Sequence, residues 1–568
     1  MKNAEIAKIL YEIADILEMQ AVEFKPRAYR RAAQSIETLQ RDITEIWHEE
    51  KLRTIPGVGE AIEEKISEYL ETGRLPYYEK LKKSLPVDLQ SLMAVESLGP
   101  KRIGVLYRKL GIKNLDDLEK AAKEHCIEKL DGFGEKSEKK ILDGIEFAKG
   151  FKGRMLLGTA FPIANEIVDR LRKLDFVNRA EFAGSLRRMK ETIGDIDILV
   201  TSKDHDKVID FFTKMEDVGE VIARGPTKAS VRLKAGVQVD IRVLEDNVFG
   251  AALQYFTGSK EHNVVMRKIA ISRGLKLSEY GLFKGNKLVA GRTEEDVYNN
   301  LGLDFVEPEM RENTGETDAA KNHALPDLVK YGSIKGDLQM HTKWSDGANA
   351  TEEIADAAEK LSYEYICITD HGGNLKVAGS LDESEFRKQW KEIDEVNEKM
   401  GGIRILKGVE ANIGPDGKID MPDKFLKEFD IVVASIHSSF GLTKEQTTKR
   451  LIEAMENENV DIIGHPTARN IEERKGVDMD FEKVFGAAKR TGTLLEINAQ
   501  PNRLDLNDAN ARYAIKTGCK LVISTDAHST EQLANMRFGV GVARRAWAES
   551  KSIVNTLPLK DFMKCLKK

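Results

Sequence analysis

From residue 331 onward the chain alternates apolar runs with helical stretches about 30 residues apart, and the runs end on histidine, a carboxylate or asparagine. The runs are IKGDLQMH, YEYICITDH, IRILKGVE, FDIVVASIH, VDIIGH, TLLEIN and KLVISTDAH. Short apolar strands separated by helices read as βα units, because parallel neighbours need a helical return between them. Five of the ten histidines lie in this region, His341, His371, His437, His465 and His528, and each sits where a strand runs out. Asp346, Glu410 and Asp526 take equivalent places. Enzymes built on barrels carry their reactive groups on that C-terminal rim. One strand-end histidine is ordinarily structural. Five, with acids interleaved, point to a multinuclear metal site.

The first member of the set is irregular. In GDLQMHTKWSDG a metal hydrolase would read His-x-His with Asp five residues on, and Gln339 stands in the first position. A carboxamide oxygen still reaches a metal, and oxygen donors suit Mn²⁺ better than Zn²⁺, so the change biases metal choice. The alternative is a retired site in a structural domain.

A chain of 568 residues holds several domains. Its 41% hydrophobic and 32% charged residues fit a soluble globular protein. No apolar run approaches a membrane span, and MKNAEIAKILYEIADIL reads as an amphipathic helix and not a signal peptide. Cys126, Cys367, Cys519 and Cys565 are scattered with no CxxC, which argues against a disulfide framework or zinc knuckle and for a cytoplasmic setting. The net charge of −6 does not advertise nucleic acid, so any such binding must come from local patches.

Residues 1–150 read as short helices with a recurring Gly-x-Gly turn. TIPGVGEAIEEKISEYL carries Gly57 and Gly59, KLDGFGEKSEKKILDGI carries Gly132 and Gly134, and SLGPKRIGVLYRKLGI is a looser copy with Gly99. Such a turn at a helix N-terminus offers free N–H groups to a phosphate oxygen. Three in about 100 residues resemble helix-hairpin-helix modules, which grip DNA without reading sequence; a plain helical bundle is the competing reading. Beside the first, FKPRAYRRAAQSI gathers Lys25, Arg27, Arg30 and Arg31 around Tyr29, a patch suited to a DNA 5′ end.

In FAGSLRRMKETIGDIDILV the period of two places Asp195 and Asp197 on one strand face, with Ile196 and Ile198 toward the core. VQVDIRV alternates likewise and offers Asp240 as a third carboxylate from a neighbouring strand. Adjacent carboxylates repel unless divalent cations lie between them, and three holding two Mg²⁺ fit in-line attack on a nucleoside triphosphate. Gly184 and Ser185, with Arg187 and Arg188, supply a turn, a hydroxyl and cations for its phosphates.

GSLRRMKETIGDID and the later YFTGSKEHNVVMR resemble family X DNA polymerases, the DNA polymerase beta group, over residues 1 to about 310. The resemblance implies that Asp195, Asp197 and Asp240 carry catalytic Mg²⁺ or Mn²⁺. It implies that Ser185, Gly194 and Arg188, with Arg154, hold the triphosphate. Tyr255, Phe256 and Gly258 would line the sugar pocket, and Asn263 and Arg267 would face the nascent pair and template. It also implies a 5′-deoxyribose-phosphate lyase with Lys65 as Schiff-base lysine, supported by Lys25 and Tyr29, although Ala61 stands where a further lysine is expected. The set HT-SDG, TDH, E-N, IHSS, GHP and DAH resembles the PHP domain over residues 334–568, which implies a distorted seven-stranded barrel holding three metals and hydrolysing phosphate esters.

The expected fold is multidomain, α+β and α/β: a helical lyase-like module (1–83), a second helix-hairpin-helix region (84–150), a polymerase-beta-like palm (151–244) and thumb (245–310), a linker (311–330) and a (βα)7 PHP barrel (331–568). The linker is read from the stretch 305–329, which is polar, carries two prolines and lacks apolar periodicity. The expected function is gap-filling repair synthesis by a monomer on gapped or primed duplex with dNTPs. The PHP rim would clean 3′ ends with Mn²⁺, Zn²⁺ being the other candidate. A small-molecule nucleotidyltransferase fused to a phosphatase would lack the hairpins, and a DNA-binding scaffold would lack the intact ligands.

Overall fold

The computed structural model describes residues 2–37, 42–93, 95, 98–151, 154–373 and 379–567. Ser97, the first residue of the looser hairpin copy, lies outside them. The chain divides into two compact units, Met1–Lys152 with Ile471–Arg474, and Gly153–Asn470 with Lys475–Lys568.

Residues 2–151 of the first unit form helices joined by turns and loops, with no strand among the described residues. In helix Lys2–Met19 the apolar positions Ile6, Leu10, Ile13 and Leu17 fall at helical spacing and bury against Tyr29, Ala32, Ala33 and Ile36 of helix Lys25–Glu37. A second core, from Val87 to Ile145, borrows Ile16 and Met19 from the same first helix. The glycines fall where the hairpins need them. Gly57 has φ +88°, and a Cβ there would lie 2.9 Å from the Ala32 nitrogen. Gly59 and Gly99 precede helices Glu60–Thr72 and Pro100–Leu110, neither of which has a side-chain cap. The N–H groups of Ile62, Glu63 and Ile103 bond the Gly59 and Gly99 carbonyls, and the earliest N–H groups of an uncapped helix await an outside acceptor.

In the second unit a five-stranded sheet runs in the order Arg179–Phe182, Ile196–Thr201, Gln238–Leu244, Lys228–Leu233, Val218–Arg224. The two central strands are parallel, with Asp197 directly opposite Asp240. Helices Phe249–Thr257 and Lys260–Ser272 follow, with a small antiparallel sheet over Lys276–Ala290.

The stretch 305–329, expected as a polar linker, is instead folded. Met310, Arg311, Glu316 and Ala320 are buried, and Glu316–Lys321 forms a short helix. Its charges find buried partners: Arg311 pairs with Glu294 at 2.6 Å, and Glu316 with His262 at 2.7 Å. Burial opposes ionisation of Glu294, but Arg311 and Arg187 outweigh it and hold its pKa down to about 2. Charges that read as solvated in sequence are interior ion pairs here.

Seven parallel strands follow in sequence order: Gly336–Asp337, Tyr365–Ile368, Arg404–Asn412, Ile431–Ser435, Ile462–Ile463, Leu494–Asn498 and Leu521–Ser524. The seam between the first and last is bridged by side chains. Asn555, fully buried, accepts from Ile523 N–H and donates to the carbonyls of Gly336 and Ile523. Asp337 accepts from the Thr525 N–H and hydroxyl, and Met340 pairs with Ala527. Cys367, Val433 and Val522 pack on Val554 and Phe562 from the C-terminal segment. Asn555→Ala should strand the Gly336 and Ile523 groups and lower stability by about 2–4 kcal/mol, from roughly 1–3 kcal/mol per unsatisfied buried group. Calorimetry would read this as a lower melting temperature.

Candidate active sites

The two aspartate strands bring three carboxylates together at one sheet end. Asp195 is exposed just before the strand; Asp197 and Asp240 are partly buried on it, while Ile196 and Ile198 face the core as their alternation requires. Burial first, then the charges of Asp195 and Asp240, push Asp197 up to about 7. Asp240 accepts from Gln238 Nε2 at 3.1 Å and from the Ser230 hydroxyl. Gly184 sits against this cluster with φ +64°, and a Cβ there would lie 2.5 Å from an Asp197 carboxylate oxygen. Only glycine satisfies both the backbone and the space.

The turn Gly184–Arg187 and the YFTGS segment meet. Arg187 donates to the Thr257 hydroxyl at 2.7 Å and pairs with Glu294; Arg188 donates to the Thr257 carbonyl at 2.5 Å and pairs with Glu312 at 3.0 Å. Gly258 lies beside the Arg188 guanidinium, and Ser185 is half-buried in the same turn. Arg154 is exposed, bonded to Thr192 and adjacent to Gly194. Tyr255 and Phe256 pack edge to face at 5.1 Å, with Arg242 over the Phe256 ring. Asn263, expected to face a base pair, bridges the two helices here: Gln254 donates to it, and it donates to the Tyr255 carbonyl. Arg267 bonds back to the Asn263 carbonyl.

In the helical unit the expected basic patch is only partly free. Lys25 is exposed, but Tyr29 is buried and Arg30 pairs with Asp15 and Glu18 at 2.6 and 2.5 Å. Those acids lie on the first helix, one turn apart, a placement the local run FKPRAYRR does not reveal. Lys65 donates to its own helix at Ala61 O and lies 4.7 Å over the Tyr77 ring.

At the C-terminal rim of the barrel the five histidines and three acids converge. Glu410 is central: His341 and His371 approach one oxygen at 3.4 and 3.3 Å, His437 and His465 the other at 3.1 and 3.0 Å. Asp526 lies 3.2 Å from His341, and Asp346 lies 3.6 Å from both His371 and His528. His465 and Asp526 hold left-handed backbone, φ +27° and +52°. Burial disfavours charge on Glu410, but His437 and His371 hold its pKa far below the carboxylate range; Asp346 and Asp526 are lowered likewise by neighbouring histidines. The matching cost falls on the rings. Burial opposes protonation of His371 and His528, yet Glu410 and Asp346 lead the acids that raise both to about 9. Glu410 and Asp526 in the interior, with the more exposed Asp346 beside them, demand positive charge, and the raised His371 and His528 supply part of it.

The donor set fits divalent ions. His341 Nδ1 and Nε2, with Nδ1 of His371, His437 and His465, are buried without hydrogen-bond partners, and ligand atoms lie within 4.8 Å of one another in three overlapping sets: His341, Asp346, His371 and His528; His371, Glu410 and His437; and His341, Glu410 and Asp526. Both amide atoms of the fully buried Gln339 are unpartnered as well. Sequence reasoning missed several supporting residues. Asp370 accepts from Thr342, Ser345 and Gln389, pinning the loop that carries His341 and Asp346. Glu496 is fully buried and pushed well up by burial, then by Asp526. Its position in TLLEIN, two residues before Asn498 on the same face, was the available signal.

Four stretches match known families: a helix-hairpin-helix domain over residues 1–75, a SAM-like helix-hairpin-helix tandem over 89–146, the DNA polymerase beta thumb over 252–312 and the PHP domain over 337–500. "DNA polymerase/3'-5' exonuclease PolX" of Bacillus subtilis (strain 168) is 39% identical over 573 residues, covering all of both chains. The chain belongs to family X of the DNA polymerases. Its C-terminal part also resembles a "Probable phosphatase" of Thermoanaerobacter sp. (strain X514), 33% identical over 231 residues, 39% of this chain and 89% of that one. Another, of Acetivibrio thermocellus, is 33% identical over 201 residues, 34% and 78% of the two chains. This family X chain thus carries a PHP domain behind its polymerase part, and none of its described helices is long and apolar enough to cross a membrane.

The raised Asp197 sets a pH dependence. Its folded pKa, about 7, exceeds the ordinary value of 3.8, so its contribution to metal-free stability is fully present below about pH 4 and lost as pH rises through 7. Urea unfolding in chelator at pH 5 and pH 8 should show a smaller difference for Asp197→Asn than for the parent chain.

Proposed function

We propose that the chain is a DNA-directed DNA polymerase filling short gaps in repair, with a PHP 3′→5′ exonuclease or 3′-end phosphoesterase on the same polypeptide. The observation that carries the first half is the in-register pair Asp197 and Asp240 beside Asp195 and the Gly184–Arg188 turn. Divalent cations, Mg²⁺ or Mn²⁺ at the triad and Mn²⁺ or Zn²⁺ at the PHP rim, would neutralise developing charge on phosphate oxygens. Asp195, Asp197 and Asp240 would hold them at the first site. Ser185, Gly194, Arg154 and Arg188 would bind the triphosphate, with Tyr255, Phe256 and Gly258 against the sugar. The uncapped helix starts after Gly59 and Gly99, with the Gly132–Gly134 turn, would take backbone phosphates of gapped or primed duplex.

At the PHP rim His341, Asp346, His371, Glu410, His437, His465, Asp526 and His528 would be ligands, and Gln339 a ninth through its carboxamide oxygen. The unpartnered imidazole nitrogens support this reading.

A 5′-labelled primer on gapped duplex, with and without dNTPs in Mg²⁺ or Mn²⁺, tests both halves. Asp195→Ala should abolish extension and leave duplex binding nearly unchanged; normal extension would sink the polymerase assignment. In that variant Mn²⁺-dependent shortening of the 3′ end should persist, disappear with His341→Ala or Asp526→Ala, and shift toward Zn²⁺ with Gln339→His. A 3′ end that stays intact in the parent chain would make the PHP domain structural. A lyase step at Lys65 is a separate proposal, supported by the position of this half-buried residue's ammonium over the Tyr77 ring. Borohydride trapping on abasic-site DNA, lost in Lys65→Ala, checks it.

A further inference from the structure

The loop from Arg188 to Gly194 joins the turn Gly184–Arg187 to the aspartate strand, and residues of the PHP domain grip it at three points. Arg545 donates to the Arg188 carbonyl at 2.8 Å. Met189 is buried against Gly541, where a Cβ would come within 2.8 Å of Met189 Cε. Arg469, itself bonded to the Arg503 and Leu504 carbonyls, pairs with Glu191 at 2.7 Å. The grip reaches a functional group at Arg188. Its guanidinium faces an Oε1 of Glu312 at 3.0 Å, and the same oxygen takes an Arg545 N–H at 2.9 Å. Arg545 is nearly buried and anchored on its far side by Asp508 at 2.6 Å.

Glu312 therefore stands where an anionic substrate oxygen would compete for Arg188. A triphosphate that takes the guanidinium must release Glu312, and a largely buried carboxylate left unpaired is costly. Arg545 already holds that carboxylate. We infer that Arg545, a residue of the PHP domain, is a positioning residue for nucleotide binding: it fixes Arg188 through its backbone and retains Glu312 when substrate displaces it. The inference rests on the reading of Arg188 as a triphosphate ligand. It makes the PHP domain part of the polymerase's nucleotide affinity, independently of the exonuclease chemistry at its rim.

The test is steady-state gap filling by the full-length chain, with KM for dNTP and kcat measured separately and the Mn²⁺-dependent 3′-end activity followed in parallel. Among the described residues Glu312 otherwise pairs with Arg188 and a distant Lys190 (3.9 Å), so without Arg545 nucleotide must break the Arg188 pair outright. Arg545→Ala should raise KM for dNTP about tenfold, the scale of one charge-assisted hydrogen bond, with kcat changed less and 3′-end activity retained. Glu312→Gln should lower KM, and the double variant should return toward the parent value. Arg188→Ala separates the two claims. If it leaves KM unchanged, the reading of Arg188 fails. If it raises KM while Arg545→Ala does not, or while Glu312→Gln fails to rescue Arg545→Ala, the positioning role alone is overturned. If Arg545→Ala misfolds, losing both activities equally, the conservative Glu312→Gln variant decides: an unchanged or raised KM overturns the inference.

Discussion

Parallel strand register is the constraint on which both centres depend. Side chains at the ends of neighbouring parallel strands are brought side by side by backbone hydrogen bonding, at no cost in loop order. Asp197 and Asp240 meet because Ile196–Thr201 pairs with Gln238–Leu244 without a slip. A one-residue shift would send Asp240 to the opposite face and leave a single aspartate pair. The barrel uses the same device around a ring: Glu410 comes from the third strand, His371 and His437 from just past the ends of the strands on either side of it, and His465 from just past the fifth.

Concentrating carboxylates in this way has an electrostatic cost that the two sites handle differently. At the triad, burial and the charges of Asp195 and Asp240 raise the Asp197 pKa to about 7. At the PHP rim the carboxylates stay ionised, and His371 and His528 take up protons instead. The difference follows from neighbours. Asp197 has two acids beside it and arginines ranking behind them, whereas Glu410 lies within 3.4 Å of four imidazoles, among which His371 is raised by the acids and His465 lowered by burial. In both cases the local charge balance is one that a divalent cation would complete.

The polymerase part and the barrel are tied by buried charge as well as by packing. Phe161 meets Phe538 edge to face, Arg537 lies over the Phe161 ring, and Arg544 pairs with the buried Glu309 of the stretch once expected to be a linker. Such pairs add little net stability, but each strongly penalises an arrangement that leaves one partner alone. They therefore favour a single placement of the loop Arg188–Gly194 against the barrel.

Much of this was legible in the sequence because it is written in short periods. Alternation of two predicted both aspartate strands, and βα spacing predicted seven barrel strands, five of them ending on histidine; all seven strands form as expected. Glycines marked the hairpin turns through a local backbone requirement. What the sequence could not supply was the partner of each charge. Arg30 read as a free cation and is paired with acids 15 and 12 residues earlier; the polar stretch 305–329 read as solvated and buries Arg311 and Glu316. Asn263 read as a substrate contact, and its local partners, Gln254 and the Tyr255 carbonyl, were not legible in the motif. Asn555, which bridges the barrel seam, lies more than 200 residues from Gly336. Backbone periodicity is a property of neighbours along the chain, so sequence determined the strands, the hairpins and the identity of the candidate ligands. Pairing of buried charges depends on which surfaces meet, and only the tertiary structure decided that.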